Sequence, residues 1–163
     1  MNIFFLDWDV KKCAKYHCDK HVVKMVLETA QLLCSAHHTT EVGKLEIPYK
    51  LSHKNHPCSI WVRESISNYL YLCELGLELC KEYTFRYEKR HKSQDVIEWC
   101  LDNKIKVTDK GFTQPPKAMP DEFKVNDVVE SYRNYYKGAK SGFASWKKRE
   151  IPDWYCMEIN LVD

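Results

Sequence analysis

The chain has 163 residues, of which 44% are hydrophobic and 29% charged, and its formal net charge is +2. A chain of this length can bury a core without metal or disulfide staples, so we expect a single domain over residues 1–163. The composition excludes a disordered chain, and the small net charge excludes a bulk polycation but not a local basic patch.

The chain contains no membrane or secretion signal that we can identify. No apolar run reaches the roughly 18 residues that a membrane-spanning helix needs. The acidic start, MNIFFLDWD, lacks the basic segment of a signal peptide. The eight cysteines include no C-x-x-C pair, which favours reduced packing thiols over a disulfide scaffold. We therefore expect an intracellular protein, in the cytoplasm or nucleus of a host cell, with no membrane partner.

The first predicted elements are an apolar arm and a long helix. Residues 1–6 read as an extended arm or a brief strand, and Asp7 or Asp9 could cap a helix that begins near Val10. The segment from Ala14 to Ser35 is apolar at helical spacing nearly all round, which is typical of an interior helix. We expect this helix to end between residues 37 and 43.

A polar stripe runs along this long helix, because successive members lie three or four residues apart and therefore share one face. It consists of His17, His21, Lys24, Glu28 and Gln31, with Lys20 beside it. Interior charges are costly unless they are paired or hydrated. We expect one edge of the helix to open into a cleft where an imidazole, an ammonium and a carboxylate meet. The alternative is a solvated face on which Lys24 and Glu28 only support the helix.

The same stripe could be interpreted as a metal site. His17 and His21 have the H-x-x-x-H spacing that suits a divalent cation, with Asp19 and Glu28 as further candidate ligands. The glutamate that follows the first histidine in zinc proteases is missing. We therefore predict neither a metal nor a cofactor.

The remaining segments predict three further helices and no strand. Residues 39–56 read as a loop, and Pro57 is typical of a helix start. Apolar spacing predicts one long helix over residues 58–90, in which Gly76 either bends the helix or admits a close crossing. Shorter helices are predicted over residues 93–103 and from Asp127, which forms a capping-box pattern with Glu130, to near residue 138.

An irregular crossing loop is predicted over residues 104–124, and the tail is irregular and aromatic. The expected fold class is thus all-α: a compact single-domain helical bundle with long irregular loops and an aromatic C-terminal tail.

Two basic clusters favour a nucleic acid as the partner. Backbone N–H groups at a helix start form a phosphate seat together with imidazole and guanidinium side chains. The residues gathered at the start of the long helix are His53, Asn55, His56 and Arg63. The alternative is a polar cap in which Asn55 is the N-cap and the histidines are merely exposed.

The second cluster is the C-terminal run from residue 132 to residue 155, where cations alternate with aromatic rings. This pattern suits a nucleic-acid backbone with unstacked bases. We assign Tyr132, Tyr136 and Trp146 to the core. The predicted DNA contacts in this run are Arg133, Lys137, Lys147 and Lys148, and Lys20 is a further one. The expected partner is DNA, bound by a monomer.

Several short motifs, in order, resemble one family. They are MNIF, the pattern D-K-H…K…E-x-x-Q-L-L in the first long helix, N-H-P…W, and MPDEFKVND at residues 119–127. With the aromatic tail, they make the chain similar to the pyrimidine dimer DNA glycosylase family, the phage-type endonuclease V.

The resemblance implies a small all-α DNA-repair enzyme with glycosylase and lyase activity, whose N-terminal amine attacks C1′ of a damaged or flipped nucleotide and forms an imine. A helix-borne glutamate assists, and it corresponds to Glu28. Lys24, His17 and His21 would line the same pocket.

The residue at position 2 departs from the family pattern. The phage member has a small residue there and loses its initiator methionine, whereas Asn2 is a poor context for that removal. Either the Met1 amine is the nucleophile, or the imine chemistry has been lost. The second case leaves two alternatives: a virus-type enzyme that modifies a pyrimidine of DNA on the same scaffold, and a non-catalytic DNA-binding protein.

Overall fold

The computed structural model describes residues 1–40, 46–157 and 159. These residues form six α-helices, two short 3-10 turns and no β-strand, so the all-α prediction is confirmed. The helices are α1 (Val10–Tyr16), α2 (Asp19–Thr40), α3 (Pro57–Glu64), α4 (Ile66–Tyr87), α5 (Gln94–Asp102) and α6 (Val128–Ala139), and the 3-10 turns are Asp121–Phe123 and Asp153–Cys156. None of the helices in these ranges is long and apolar enough to cross a membrane.

Helices α2 and α4 form the centre of the bundle. Helix α4 contacts α1, α2, α3 and α5, and α2 also contacts α3 and α5. At the crossing of the two central helices, a Cβ atom on Gly76 would lie 2.8 Å from Cγ2 of Thr29. Because interiors are close-packed, a residue without a side chain is needed for this approach. Of the two roles predicted for Gly76, the structure supports the close crossing.

The predicted helix over residues 14–35 is interrupted at His17, so its continuity was a wrong prediction. Asp9 caps α1, as expected, and the chain becomes extended at His17, where ψ is 132°. The fully buried guanidinium of Arg86, from α4, donates to the carbonyl oxygens of Lys15 and His17 at 3.0 and 2.8 Å. It also pairs with Asp19 at the start of α2. A residue from another helix therefore stabilises the break.

The predicted helix over residues 58–90 is likewise two helices. Ser65 separates α3 from α4 with an extended backbone (φ −153°, ψ 143°). Its hydroxyl donates to Asp109 at 3.2 Å and accepts from the Lys110 N–H at 2.9 Å. The crossing loop therefore inserts at this point. Helix α6 agrees with the prediction, since the side chain of Asp127 accepts from the N–H of Glu130.

The first six residues form a buried arm without regular secondary structure. Ile3, Phe4, Phe5 and Leu6 are at most 4% exposed and belong to the hydrophobic core. The Phe4 ring stacks on His21 of α2 with centroids 4.4 Å apart, and Phe5 meets Trp61 of α3 at 5.4 Å. The extended-arm expectation is met, and the arm brings the first residue of the chain against α2.

Candidate active site

A polar cleft of about 340 Å³ lies between the arm, α2, the start of α3 and the end of α6. Phe4 and Tyr135 contribute aromatic surface to it. Its ionisable groups are the Met1 amine, His21, Lys24, Glu28, His56 and Lys140. An imidazole, an ammonium and a carboxylate of α2 thus line one cleft, together with groups that come from three other parts of the chain.

Glu28 is the central group of the cleft and is only 7% exposed. Its Oε1 accepts from the Asn2 N–H at 3.1 Å and lies 3.4 Å from the Met1 amine. Its Oε2 lies 3.6 Å from Nζ of Lys24, whose side chain is 67% exposed. A buried carboxylate requires partners of this kind. Glu28 is therefore held mainly by the arm, and the lysine of its own helix is a solvated second partner.

The side chain of Asn2 anchors the arm at this point. Its Nδ2 donates to the Ala118 carbonyl at 2.8 Å, and its Oδ1 accepts from the Ile3 N–H at 2.8 Å and from the Cys58 thiol at 3.3 Å. The sequence predicted no structural role for Asn2. Its position, as the one amide in an otherwise apolar start, could have indicated one.

His21 is held as a neutral imidazole. Its Nδ1 lies 2.6 Å from the Tyr136 hydroxyl, whose oxygen accepts from the Cys18 N–H. Burial raises the pKa of Tyr136 well above its ordinary range, so the hydroxyl keeps its proton and can donate it to Nδ1. Burial, together with neighbouring positive groups, lowers the pKa of His21 to about 3. The remaining N–H of the ring is therefore on Nε2.

His56 has a similar arrangement at the start of α3. Its Nδ1 accepts from the Cys58 N–H at 3.0 Å, so His56 is the N-cap of this helix. The alternative in which Asn55 is the N-cap is wrong, because Asn55 lies one residue before the N-cap and is exposed. Burial and the nearby N-terminal amine lower the pKa of His56. The cleft thus contains two imidazoles that are neutral near pH 7.

His17 lies outside the cleft, contrary to the expectation that it lines the same pocket. It is 1% exposed, its Nδ1 is 2.7 Å from the Cys13 carbonyl oxygen, and burial lowers its pKa to about 4. His17 does not share the helix face of His21 and Glu28, because α2 begins only at Asp19. Asp19 itself pairs with Arg86 and accepts from the Lys147 N–H. Within the described ranges, no three side chains form a metal-binding group.

Several basic residues predicted to contact DNA are engaged within the protein. Arg133 donates to the Leu6 carbonyl at 2.8 Å and to Asp7 at 3.0 Å, so it holds the arm. Lys148 donates to the Phe85 carbonyl and lies 3.6 Å from Glu88. The Arg63 guanidinium of α3 donates to the Lys54 carbonyl, in the loop before this helix, at 2.7 Å. Half-buried Lys137 has its pKa lowered by burial.

Other basic groups lie over aromatic rings. The Nζ atoms of Lys20, Lys140 and Lys147 are 4.9, 4.6 and 5.3 Å from the ring centres of Phe143, Tyr135 and Tyr87. Lys20, Lys147, His53 and Asn55 are exposed. Tyr132, Tyr136 and Trp146 are buried, as predicted. Lys140 and Tyr135 line the cleft but were not among the predicted site residues, although their cation–aromatic alternation was visible in the tail.

Comparison with known proteins identifies one family. No curated protein and no solved structure matches the chain significantly. A model of the pyrimidine dimer DNA glycosylase family matches residues 1–95, which is more than half of the chain. The matched part includes the arm, Glu28 and His56, and so most of the cleft. The chain therefore belongs to the pyrimidine dimer DNA glycosylase family, whose members are DNA-repair glycosylases with DNA as substrate.

Proposed function

We propose that this chain is a DNA glycosylase and abasic-site lyase that acts on a damaged or modified pyrimidine through its N-terminal amine and Glu28. The observation that carries the proposal is the 3.4 Å distance between the Met1 amine and the Glu28 Oε1 atom in a polar cleft. An α-amine has an ordinary pKa of about 8, so part of it is neutral and nucleophilic at physiological pH.

The reaction begins when the neutral amine attacks C1′. The bond from C1′ to the base breaks, and the base leaves with the bonding electrons and takes a proton. The attacking nitrogen loses a proton to Glu28, which lies within reach. The C1′–O4′ bond then breaks, O4′ takes the proton that Glu28 received, which restores the carboxylate, and an imine links the sugar to the chain.

The imine permits strand cleavage. Loss of a proton from C2′ expels the 3′ phosphate, and water then hydrolyses the imine and restores the amine. During these steps positive charge develops at C1′ and at the nitrogen. A buried carboxylate stabilises that charge more strongly than water does, because its position is fixed in advance. Glu28, at 7% exposure, meets this requirement.

The two neutral histidines supply hydrogen bonds without adding charge. With Nδ1 occupied, each ring donates through Nε2, to a carbonyl of the base or to a sugar oxygen. A charged imidazole here would instead repel the positive centre that develops at C1′. Lys24 and Lys140, at the edge of the cleft, neutralise flanking phosphates. The proposal needs only one copy of the chain.

Borohydride trapping on a duplex with an abasic site tests this function. We expect a covalent protein–DNA adduct that peptide mapping assigns to Met1, because borohydride reduces an imine to a stable amine. Lys24→Arg keeps the charge but removes the side-chain amine, so it is the control and should trap equally well. An adduct on a lysine would contradict the assignment of the nucleophile. Binding without any adduct would contradict the lyase and favour a base-modification enzyme or a non-catalytic DNA-binding protein.

A further inference from the structure

We infer that Asn2 is a positioning residue whose side chain seats the Met1 amine against Glu28. The effect on catalysis rests on the proposed function, whereas the seating itself can be measured without DNA. Nothing in the family match assigns a role to this residue.

The amine needs such a device because the arm has no secondary structure of its own. Residues 1–6 make no helical or strand hydrogen bonds that would fix the first residue. Burial holds the arm from Ile3 onwards, at 3% exposure, and the Met1 side chain is also buried, at 3% exposure. The exposed part of Met1 is its backbone, so the direction of its amine depends on how residue 2 is held.

The side chain of Asn2 fixes that conformation through contacts with separate parts of the fold. Nδ2 donates to Ala118 in the crossing loop, and Oδ1 accepts from Cys58 in α3. The Tyr132 hydroxyl of α6, which donates to the Pro116 carbonyl at 2.7 Å, lies 3.4 Å from the same Oδ1. The same Oδ1 accepts from the Ile3 N–H, which closes a short local turn. Both ends of the amide are thus bonded, and the residue cannot rotate without breaking several hydrogen bonds.

These hydrogen bonds of the Asn2 side chain, which we call the Asn2 clamp, place two successive nitrogen atoms of the backbone near one oxygen atom. The Asn2 N–H donates to the Glu28 Oε1 atom at 3.1 Å, and the Met1 amine lies 3.4 Å from the same atom. Rotation at residue 2 would carry the amine away from the carboxylate. A misplacement of about 1 Å can cost roughly 100-fold in rate, so the clamp has a catalytic consequence.

The test substitution must preserve Met1. Small residues at position 2 favour removal of the initiator methionine, so Ala and Ser are unsuitable. Asn2→Leu has a similar size and no hydrogen-bonding group. Asn2→Asp keeps the acceptor but places an oxygen against the Ala118 carbonyl in place of the donor. Cys58→Ala removes one donor to Oδ1 and leaves the donor to Ala118 intact, so it is the matched milder variant.

The first measurement is single-turnover cleavage of an abasic duplex by proteins with a native amino terminus. We expect the single-turnover rate constant at saturating enzyme to fall about 100-fold in Asn2→Leu, with the half-saturating enzyme concentration unchanged, and to fall less in Cys58→Ala. A structural defect alone would lower the fraction of active protein, which active-site titration by trapping reports separately. If Asn2→Leu cleaves like the parent while the parent traps an adduct, the inference is wrong and the proposed function stands.

The second measurement needs no catalysis. Reductive methylation with ¹³C-formaldehyde gives the terminal amine its own NMR signal, and the chemical shift of this signal is compared between proteins with Glu28 and with Glu28→Gln. We expect Glu28→Gln to change this chemical shift in the parent, and the change to be absent in Asn2→Leu. An equal shift in both backgrounds would overturn the inference. If the coupling depends on Asn2 but no adduct forms, the seating stands and the lyase proposal fails. If Asn2→Leu does not fold, both measurements are made on Asn2→Asp and Cys58→Ala instead.

Discussion

The environment of Glu28 separates the three roles that a carboxylate on a polar helix stripe can have. A purely solvated residue would be exposed, whereas Glu28 is 7% exposed. A structural partner buried with Lys24 would require a buried lysine, and that side chain is 67% exposed. What remains is a carboxylate held by the N-terminal arm and open to a cleft. This geometry supports the catalytic role that we propose for Glu28.

Glu28→Gln should therefore remove activity without unfolding the protein. The amide retains an acceptor for the Asn2 N–H, and the two cations beside Glu28, the Met1 amine and Lys24, both line the open cleft, so we expect the free energy of unfolding to change by about 1 kcal/mol or less. Cleavage of an abasic duplex should fall about 100- to 1,000-fold, because the fixed negative charge is lost. Melting temperature and turnover measured on one preparation check this, and a stable variant with full activity would remove Glu28 from the site.

Two of the buried histidines, His17 and His21, predict how stability depends on pH. Their pKa values in the folded state, about 4 for His17 and about 3 for His21, lie below the ordinary 6.5 because burial disfavours the charged ring. Below pH 6.5 the unfolded chain binds protons that the folded chain does not. The contribution of the two neutral rings to the free energy of unfolding is fully present above pH 6.5. It decreases as the pH falls, by up to about 1.4 kcal/mol per pH unit for each ring.

Urea unfolding between pH 6.5 and pH 5 measures this slope. His17→Asn and His21→Asn each keep a hydrogen-bonding atom near Nδ1 but cannot titrate, so each should reduce the slope by up to about 1.4 kcal/mol per pH unit. Carboxylates contribute little in this window because their ordinary pKa values lie near 4. An unchanged slope in both variants would mean that the rings are already charged in the folded protein.

The sequence predicted which residues of one helix share the cleft better than it predicted contacts between residues far apart in the chain. Helical spacing placed His21, Lys24 and Glu28 on one face, and the structure places them on one cleft. It wrongly included His17, because the helix break at that residue depends on Arg86, 69 positions away. The contact of the Asn2 side chain with Ala118 spans 116 positions, and no local pattern encodes it.

At the scale of elements, hydrophobic periodicity identified the helices but not where they are interrupted. Both wrong boundaries, at His17 and at Ser65, lie where a distant polar group bonds to the backbone or side chain at the break. An apolar pattern continues through such a point because both flanking helices face the same core. Helix starts with a local cap, at Asp9 and Asp127, were predicted correctly, since their hydrogen bonds are local.

Gly76→Ala tests the crossing of α2 and α4. Alanine would favour an isolated helix by about 1 kcal/mol. However, its Cβ would lie 2.8 Å from Thr29 Cγ2 and 3.1 Å from Ile97 Cδ1, and threonine in a helix cannot rotate away easily. We expect a net destabilisation of about 1–2 kcal/mol by urea unfolding.

Thr29→Ser in the same chain removes the clashing methyl group and is the matched control. The double variant should recover most of the lost stability. Because Thr29 follows Glu28 on α2, Gly76→Ala should also slow abasic cleavage, and the double variant should restore it. A stabilised Gly76→Ala would mean that the two helices separate without cost.

At the scale of the whole molecule, the structure distinguishes basic residues that bind other groups of the protein from basic residues that line the cleft. The composition cannot make this distinction. The chain has 25 lysines and arginines against 23 acidic residues, so its net charge does not predict a DNA surface. Arg133 and Lys148 are engaged by carbonyl and carboxylate oxygens of the protein itself. Lys24 and Lys140 line the cleft, and Lys20 lies over the ring of Phe143, which packs against His21. The expected DNA path therefore crosses the start of α2 and the end of α6.

The salt dependence of DNA binding distinguishes these groups. Each phosphate that a lysine neutralises adds about −0.9 to the slope of log K against log salt, because counterions are released. Lys20→Ala and Lys140→Ala should each weaken binding to an abasic duplex and reduce the magnitude of the slope by about 0.9. Lys106→Ala, an equal charge change at an exposed position outside the cleft, should leave the slope unchanged, as should Lys148→Ala. Fluorescence anisotropy over a series of salt concentrations measures the DNA affinity of all four variants. Equal losses for all four lysines would indicate attraction by overall charge and contradict a path centred on the cleft.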